Sequence, residues 1–274
     1  MHEAMFYSKK ISGKVVCELC PHRCVLSDGE LGICRGRKNI SGKLYSLNYG
    51  KTVAINEDPM EKKPLYHFYP GEKILSLAAN NCNFDCKYCQ NYSISQLESR
   101  TFDITPELVL AICREKKIKP VAFTYTEPFV WYDFIYDTSL VLKSENISVV
   151  LITNGYVNQK PLEMLLPYIS AMNIDLKSAS DVFYRKICSG TLAPVKKTIL
   201  ASLKKCHVEI TNLLVTGEND STAEITALVD FLASIDSEIP IHFSRYFPTY
   251  EFMSPPTSPK TMMEAYEIAR KKLH

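Results

Sequence analysis

The feature that most constrains this chain is a run of three cysteines between residues 82 and 89. Cys82, Cys86 and Cys89 follow the spacing C-x3-C-x2-C. Thiolates are soft ligands that select zinc, copper(I) or iron–sulfur clusters. A cubic [4Fe–4S] cluster normally takes four thiolates, one for each iron, so three cysteines would leave one iron open. Because an open iron can bind a substrate or cofactor, the run indicates reactive chemistry rather than electron storage alone.

Two other interpretations of this run remain open on the residues alone. One is a zinc loop that takes its fourth ligand from elsewhere in the chain. The other is a set of three buried structural cysteines. The nearest cysteines along the chain, Cys34 and Cys113, are both far away in sequence, so the surrounding sequence has to decide between these interpretations.

Composition excludes several classes of protein. The chain has 274 residues and a net charge of +2, which gives no reason to expect a nucleic-acid or membrane-surface partner. No stretch approaches the roughly 20 apolar residues that span a bilayer, and residues 1–10 do not resemble a signal peptide. Ten cysteines without a secretion signal favour metal or redox chemistry in a reducing compartment over disulfides. We therefore expect a cytoplasmic protein.

A second cysteine cluster lies within the first fifty residues. Cys17, Cys20, Cys24 and Cys34 follow the spacing C-x2-C-x3-C-x9-C. Four thiolates can close a tetrahedral metal site that has no open position. Structural zinc is the favoured occupant, a fully ligated [4Fe–4S] cluster is the alternative, and disulfides or unoccupied thiols are the third possibility. The sequence does not separate zinc from iron because both accept four cysteines.

Residues 1–73 are predicted to form a cysteine-rich module with an extended connector, and residues 74–274 the core domain. Within the connector, residues 61–68 mix charged and aromatic side chains. We expect this segment to be a strap that lies across the core with its aromatic side chains inward. The alternative places Lys62, Lys63 or His67 at the mouth of the site.

The core alternates short apolar runs with helical stretches, which implies a parallel sheet with right-handed crossovers. Six strands are too few for a full eight-stranded barrel. The predicted fold is therefore α/β, a partial (β/α)6 barrel with a small N-terminal cysteine-rich extension. In such folds ligands bind at the C-terminal ends of the strands. The predicted strands are residues 74–78, 121–125, 148–153, 171–176, 208–215 and 239–244.

Polar residues follow three of the predicted strands. Thr126 and Glu127 follow the second, Asn154 the third, and Asp175 and Lys177 the end of the fourth. A carboxylate suits a ligand ammonium group, whereas an amide can both donate and accept hydrogen bonds. The alternatives are a solvated glutamate and a plain Asn-Gly turn. Polar side chains on one face of a buried strand need partners, so we expect them to face a polar ligand or one another.

The sixth strand carries His242 and Ser244 on one face, followed by Arg245. His242 is equally consistent with a ligand contact and with a structural residue. Arg245 would bind a carboxylate or phosphate, or cap the barrel rim. Cys113 and Cys206 are expected to be structural; so is Cys188, although its place near a strand end leaves a functional alternative.

The cysteine run and its context resemble the radical S-adenosylmethionine (SAM) superfamily. In that family the three cysteines hold a [4Fe–4S] cluster whose open iron chelates SAM, and the reduced cluster cleaves SAM to a 5′-deoxyadenosyl radical that abstracts hydrogen from a substrate. The family has a partial-barrel core and an aromatic residue before the third cysteine, here Tyr88. The resemblance implies SAM contacts from Tyr88, Thr126, Glu127, Asn154, Asp175, Lys177 and His242.

The longer motifs are similar to the radical SAM member of the AmmeMemoRadiSam group, which is pyruvate formate-lyase-activating-enzyme-like. Glycyl-radical activating enzymes hold a cation near SAM with two aspartates. Here Ile152 stands at the first of those positions and Asp175 at the second, so the activase role is an alternative rather than the leading function. The matching segments are residues 17–24, 32–34, 58–68, 86–91, 125–128, 153–156, 175–177 and 242–245.

The resemblance implies an enzyme that abstracts hydrogen from a substrate the sequence does not specify. A one-electron reductant such as flavodoxin or ferredoxin is the implied partner, and a protein substrate is plausible by analogy. The alternatives are a glycyl-radical activase, a non-catalytic iron–sulfur electron carrier, and a zinc-stabilised binding module built on the N-terminal cysteines.

Overall fold

The first fifty residues form two small antiparallel sheets that carry the N-terminal cysteines. The computed structural model describes residues 1–274. The strands are β1 (His2–Glu3), β2 (Tyr7–Lys9), β3 (Val15–Cys17), β4 (Val25–Leu26), β5 (Arg37–Ile40) and β6 (Lys43–Ser46). One sheet has the order β1-β6-β5 and the other the order β2-β3-β4.

The connector contributes a strand to the central sheet. After β7 (Lys51–Thr52), strand β8 (Ala54–Pro59) pairs antiparallel with β9 (Lys73–Ala78), and a 3₁₀ turn over Met60–Lys62 begins the return path. Strand β8 was not expected from the sequence because Asp58-Pro59 has the composition of a turn. Pro59 stands at the last position of an edge strand, where the missing N–H is tolerated. A domain boundary at residue 73 stays a prediction.

Six parallel strands follow one another in chain order across the rest of the sheet. The remaining elements are α1 (Tyr92–Ser95), β10 (Phe102–Asp103), α2 (Pro106–Lys116), β11 (Pro120–Phe123), α3 (Tyr132–Lys143), β12 (Ser148–Thr153), α4 (Gln159–Leu165), β13 (Ala171–Asp175), α5 (Asp181–Ile187), α6 (Leu192–Ser202), β14 (His207–Leu214), α7 (Thr222–Ile235), β15 (Ile241–Arg245) and α8 (Pro259–Ala269). Short 3₁₀ turns cover Ile11–Gly13, Pro128–Trp131 and Leu166–Tyr168.

The sheet has the order β15-β14-β13-β12-β11-β9-β8, and β10 pairs separately with β7. Strands β9 and β11 to β15 are mutually parallel. The two edge strands, β15 and β8, do not pair with each other, so the barrel is open. The predicted α/β fold with a parallel sheet is confirmed.

Local sequence explains where the helices begin and end. The Thr105 hydroxyl accepts a hydrogen bond from the Leu108 amide at 3.2 Å, and Pro106 occupies the first helical position of α2, a favourable N-terminal combination. The helix ends at Lys117, which has a left-handed φ of 56° that closes the last turn. All four residues of β11 are buried, as expected for a parallel strand covered on both faces.

The N-terminal module is fixed to the barrel by a shared hydrophobic core and by one buried ion pair. Val15 and Leu44 of the module belong to the same core cluster as the barrel residues. Arg37 Nη2 lies 2.8 Å from Asp133 Oδ2 of α3, and both side chains are inaccessible to solvent. Arg37 Nη1 also donates to the Met5 carbonyl at 2.6 Å. The module therefore has a defined position on the barrel.

None of the helices combines the length and the apolar character that crossing a bilayer requires.

Candidate functional site

A cavity of about 620 Å³ opens at the C-terminal ends of the parallel strands. Its volume falls within the range of about 300–1,000 Å³ that is common for small-molecule sites. It collects side chains from the ends of β9, β11, β12, β13, β14 and β15. Of the residues predicted for SAM and the first cluster, the cavity is lined by Cys82, Cys86, Tyr88, Cys89, Thr126, Glu127, Asn154, Asp175 and Lys177.

The three cysteine thiols of the loop after β9 are free and face this cavity. Cys82 Sγ accepts hydrogen bonds from the Phe84 amide at 3.3 Å and from Asn154 Nδ2 at 3.7 Å, and Cys89 Sγ lies 3.2 Å from Ser95 Oγ. Burial raises the pKa of the Cys82 and Cys89 thiols. A metal offsets that effect because a coordinating thiol is deprotonated outright. The donor set fits a metal–thiolate centre with three protein ligands.

The cysteine loop is supported by the end of helix α5. The Asp85 and Lys87 amides donate to the carbonyls of Cys188 and Ile187, each at 3.1 Å. Cys188 is fully buried, and its thiol lies 3.7 Å from the hydroxyl of Tyr88. A hydrogen bond with Cys188 and burial raise the pKa of the Cys86 thiol. The structure thus brings Cys188, which we expected to be structural, against the site.

Glu127 is buried and held by its own surroundings. Its carboxylate accepts hydrogen bonds from the Phe129 amide at 3.0 Å, the Thr153 hydroxyl at 2.7 Å and the Asn154 amide at 2.8 Å. Burial raises its pKa to about 7 although these hydrogen bonds act in the opposite direction. Glu127 therefore fixes the ends of β11 and β12 relative to each other.

Asn154 connects the end of β12 to the cysteine loop. Its Nδ2 donates to Asn83 Oδ1 at 2.9 Å, and its Oδ1 accepts from the Tyr156 amide at 2.8 Å. The Asn83 Nδ2 in turn donates to the Tyr156 carbonyl at 2.8 Å. These bonds use most of the hydrogen-bonding capacity of the Asn154 side-chain amide. Contacts within the protein therefore fix the position of this side chain beside Cys82.

Asp175 and Lys177 form an ion pair on the cavity wall. Lys177 Nζ lies 3.0 Å from Asp175 Oδ2, and the Asp175 side chain is 35% exposed. Burial acts to lower the pKa of Lys177, but the neighbouring Asp175 carboxylate outweighs it and keeps that pKa raised. Beside them the Thr211 hydroxyl is buried, lines the cavity and has no hydrogen-bond partner. The cavity thus holds a charged pair and one unsatisfied polar group that a polar ligand would satisfy.

Thr211 was not expected at the site because a threonine inside a strand belongs to no recognisable motif. Ser244 and Arg245 also line the cavity. The Arg245 Nε donates to the Thr257 carbonyl at 2.9 Å, and its guanidinium packs over the Phe247 ring at 5.1 Å. Lys62 and Tyr125 line the cavity as well.

The structure does not bring His242 to this cavity. Its Nε2 lies 2.5 Å from the Glu209 carboxylate, which also contacts His207 Nε2 at 2.9 Å and His67 Nδ1 at 3.4 Å. His242 precedes Ser244 by two positions on β15, so it lies nearer the N-terminal end of the barrel. The alternation of side chains along the strand correctly predicted that His242 and Ser244 lie on the same face of β15. It did not show how far along the strand His242 lies from the cavity.

The segment predicted as a strap crosses this N-terminal end of the barrel. The Tyr66 and His67 amides donate to Glu209 at 3.1 and 2.8 Å, and the Pro64 carbonyl accepts from Asn173 Nδ2 at 2.8 Å. The expectation that its aromatic side chains point inward is wrong for Tyr66, which is exposed, whereas Phe68 is half-buried and packs against the core. Besides these hydrogen bonds, the segment is held by the buried Leu65 and by the buried ion pair between Lys63 and Asp58 at 2.7 Å.

The four N-terminal cysteines line a second, smaller cavity. None of the ten cysteines forms a disulfide. Arg37, His22 and Asn83 also line it, and the His22 ring Nε2 lies 2.7 Å from the Asn83 carbonyl oxygen. Since Asn83 belongs to the cysteine loop, the two cysteine-lined cavities are neighbours.

Fold and site together define a partial-barrel α/β protein with a thiol-lined cavity at the strand ends. A profile of the radical SAM superfamily matches residues 77–232, which is more than half of the chain. An uncharacterized protein of Methanocaldococcus jannaschii is 42% identical over 275 residues, covering 98% of this chain and 81% of that protein. The chain belongs to the radical SAM superfamily.

Solved structures share the fold at low sequence identity. A radical SAM methyltransferase from Sphaerobacter thermophilus is 17% identical with a TM-score of 0.56, and the match covers 75% of this chain and 65% of that one. Streptococcus suis SuiB bound to S-adenosylmethionine is 14% identical with a TM-score of 0.56, covering 72% of this chain and 48% of that one. Membership of the superfamily implies a [4Fe–4S] cluster and SAM, and its members are generally enzymes. The AmmeMemoRadiSam group stays a prediction.

Proposed function

We propose that this chain is a radical SAM enzyme in which Cys82, Cys86 and Cys89 hold a [4Fe–4S] cluster and SAM binds beside it. The observation that carries the proposal is the convergence of three free thiols and a polar wall on one cavity of about 620 Å³. When bound, the cluster and SAM supply a 5′-deoxyadenosyl radical for hydrogen abstraction. The substrate is the part of the reaction that the site residues do not specify.

The chain's own residues divide into those that contact SAM and those that position the contacts. Asp175 and Lys177 offer opposite charges to the amino-acid end of SAM, and Thr211 offers a hydroxyl without a partner. Tyr88 and Thr126 line the same wall. Glu127 and Asn154 have their polar atoms engaged within the protein, so their contribution is to place the cysteine loop and the strand ends.

The proposed partner is a one-electron reductant, because radical SAM enzymes use one; flavodoxin or ferredoxin would serve. A protein or peptide substrate is consistent with SuiB, whose structure has been solved with its precursor peptide SuiA. The glycyl-radical activase alternative is less well supported. Ile152 lines the cavity at the position where those enzymes carry an aspartate, so a cation there would lose one carboxylate ligand.

We further propose that Cys17, Cys20, Cys24 and Cys34 form a second metal centre. The four thiols are free and share one cavity. A closed set of four thiolates leaves no open position for a substrate, so this centre has a structural or electronic role.

The test is reductive cleavage of SAM by the protein reconstituted anaerobically with iron and sulfide. We expect 5′-deoxyadenosine after addition of dithionite and SAM, measured by chromatography. Cys86→Ala should lose the product, and Cys206→Ala, which removes a thiol outside both cysteine sets, should retain it. Equal product from the wild type and Cys86→Ala would contradict the proposal, and so would a loaded wild type that forms none, as expected for an electron carrier.

A further inference from the structure

We infer that the second metal centre is an iron–sulfur cluster of the [4Fe–4S] type, ligated by Cys17, Cys20, Cys24 and Cys34, and not zinc. The inference rests on the proposal that these cysteines bind a metal. It is independent of whether the protein cleaves SAM. It reverses the preference for zinc that cysteine spacing alone gave.

The distances between sulfur atoms carry the inference. In a tetrahedral zinc site with Zn–S bonds of about 2.3 Å, any two sulfurs lie about 3.8 Å apart. The only three ligand atoms of His, Cys, Asp or Glu that lie within 4.8 Å of one another belong to His67, Glu209 and His242. No three of the four N-terminal sulfurs are therefore as close together as zinc requires.

A cubic cluster requires wider spacing because each of its thiolates binds a different iron. The three cysteines of the loop after β9 provide a comparison within the same molecule. They line one cavity and belong to the superfamily's cluster motif, yet their sulfurs also form no group within 4.8 Å. The N-terminal cysteines share this pattern: they surround one cavity without meeting at a point.

The backbone around the N-terminal cavity leaves room beside the sulfurs. A Cβ added at Gly32 would lie 3.8 Å from Cys34 Sγ and 3.9 Å from Cys24 Sγ. The Ile33 amide donates to Cys24 Sγ at 3.5 Å. Gly32 therefore leaves the space of a methyl group against both sulfurs, and the Ile33 amide supplies a hydrogen-bond donor to one of them.

The wall of the N-terminal cavity offers a buried hydrogen-bond donor to one of the thiolates. Arg37 is 1% exposed, and its Nη1 lies 3.9 Å from Cys17 Sγ. Its other amino group pairs with Asp133, while its Nε is buried without a partner. Because Arg37 forms a neutral pair with Asp133, its contribution to this cavity is an N–H donor directed at Cys17 Sγ and not an excess of positive charge.

The two cysteine-lined cavities are separated by one stretch of backbone. Asn83 lines the N-terminal cavity, whereas its neighbours Cys82 and Phe84 line the larger one. The His22 ring also contacts the Asn83 carbonyl at 2.7 Å. Two clusters this close should interact magnetically when both are reduced.

The first experiment uses a Cys82→Ala/Cys86→Ala/Cys89→Ala variant, which retains only the N-terminal set. After anaerobic reconstitution in the presence of both metals, we expect about four iron and about four sulfide per chain. The variant should show the absorption and Mössbauer spectrum of a [4Fe–4S] cluster. About one zinc per chain with no iron would overturn the inference.

The second experiment uses the wild-type chain, so it does not depend on the folding of a variant. We expect about eight iron per chain and, after reduction, an EPR spectrum broadened by interaction between two clusters. The broadening should be lost in a Cys17→Ser/Cys20→Ser variant. About four iron with about one zinc, or a reduced spectrum without broadening, would overturn the inference.

The outcomes separate this inference from the proposed function. A protein with about eight iron that forms no 5′-deoxyadenosine supports the second cluster and contradicts the enzyme. A protein that forms 5′-deoxyadenosine and contains about one zinc does the reverse.

Discussion

Gly190 lies directly against the ring of Phe84, so that a Cβ at position 190 would be 2.2 Å from Phe84 Cε1. Phe84 belongs to the cysteine loop, between Cys82 and Cys86, and Gly190 follows helix α5. No side chain fits between them. The packing of this pair therefore fixes the loop on the barrel.

Gly190→Ala should displace the Phe84 ring and the cysteine loop with it. We expect a loss of about 1–3 kcal/mol in stability, as for other overpacked sites, and a lower iron content after reconstitution. Thermal unfolding of the apoprotein and iron analysis measure the two effects. Phe84→Leu in the same background should restore part of both, and a variant with wild-type stability and iron content would refute the packing argument.

Lys177→Met should weaken SAM binding for two reasons. Asp175 would lose its ion-pair partner, and the amino-acid end of SAM would lose a positively charged group to contact. We expect roughly tenfold weaker binding, equivalent to about 1.4 kcal/mol. The measurement is the SAM concentration that half-converts the EPR spectrum of the reduced cluster. Lys186→Met is a matched control, since that exposed lysine pairs with Glu218 outside the cavity. Equal SAM affinity in both variants would rule out a role for Lys177.

Glu209→Gln should make stability less dependent on pH. Burial acts to raise the pKa of Glu209, but hydrogen bonds from His207 and His242 outweigh it and hold that pKa well below 4.5. A carboxylate with a lowered pKa stabilises the fold above its unfolded pKa and loses that contribution as the pH falls. We expect the variant to be about 1.5–3 kcal/mol less stable at pH 7.

The difference between Glu209→Gln and the wild type should shrink as the pH falls below about 4.5. Unfolding by denaturant across this range measures it. A constant difference from neutral to acid pH would exclude the ionised carboxylate as its source.

His242 should not affect SAM binding, because it contacts Glu209 rather than the cavity.

Arg37→Met should destabilise the protein because the buried Asp133 carboxylate would lose its counterion and keep only the hydrogen bond from the Met5 amide at 2.7 Å. Breaking a buried pair typically costs about 3–5 kcal/mol, whereas replacing both partners with apolar residues is often nearly neutral. We therefore expect Arg37→Met/Asp133→Leu to be more stable than Arg37→Met alone in thermal unfolding. Additive losses would show that the ion pair does not act as a unit.

The sequence was sufficient to predict the parallel strands of the sheet and most of the residues on one wall of the cavity. Each parallel strand begins with an apolar run and ends where polar residues follow, so predicted strand 148–153 coincides with Ser148–Thr153 and the polar residues after it reach the cavity. These features are local, because they depend on side-chain period and on turn residues.

Contacts between segments far apart in the chain could not be predicted from the sequence. His242 was expected at the site, but its partner Glu209 lies on the neighbouring strand and is set by register, not by motif. Cys188 and Gly190 reach the cysteine loop because α5 packs there. That no three of the N-terminal sulfurs lie within 4.8 Å of one another is likewise a property of the folded chain, which the spacing C-x2-C-x3-C-x9-C does not determine.

The most direct test of the central claim is electron–nuclear double resonance of the reduced protein with SAM labelled at the amino nitrogen. The account predicts magnetic coupling between that nitrogen and a cluster that is lost in Cys82→Ala/Cys86→Ala/Cys89→Ala. A wild-type protein with its full complement of iron, saturated with SAM and showing no such coupling, would contradict it.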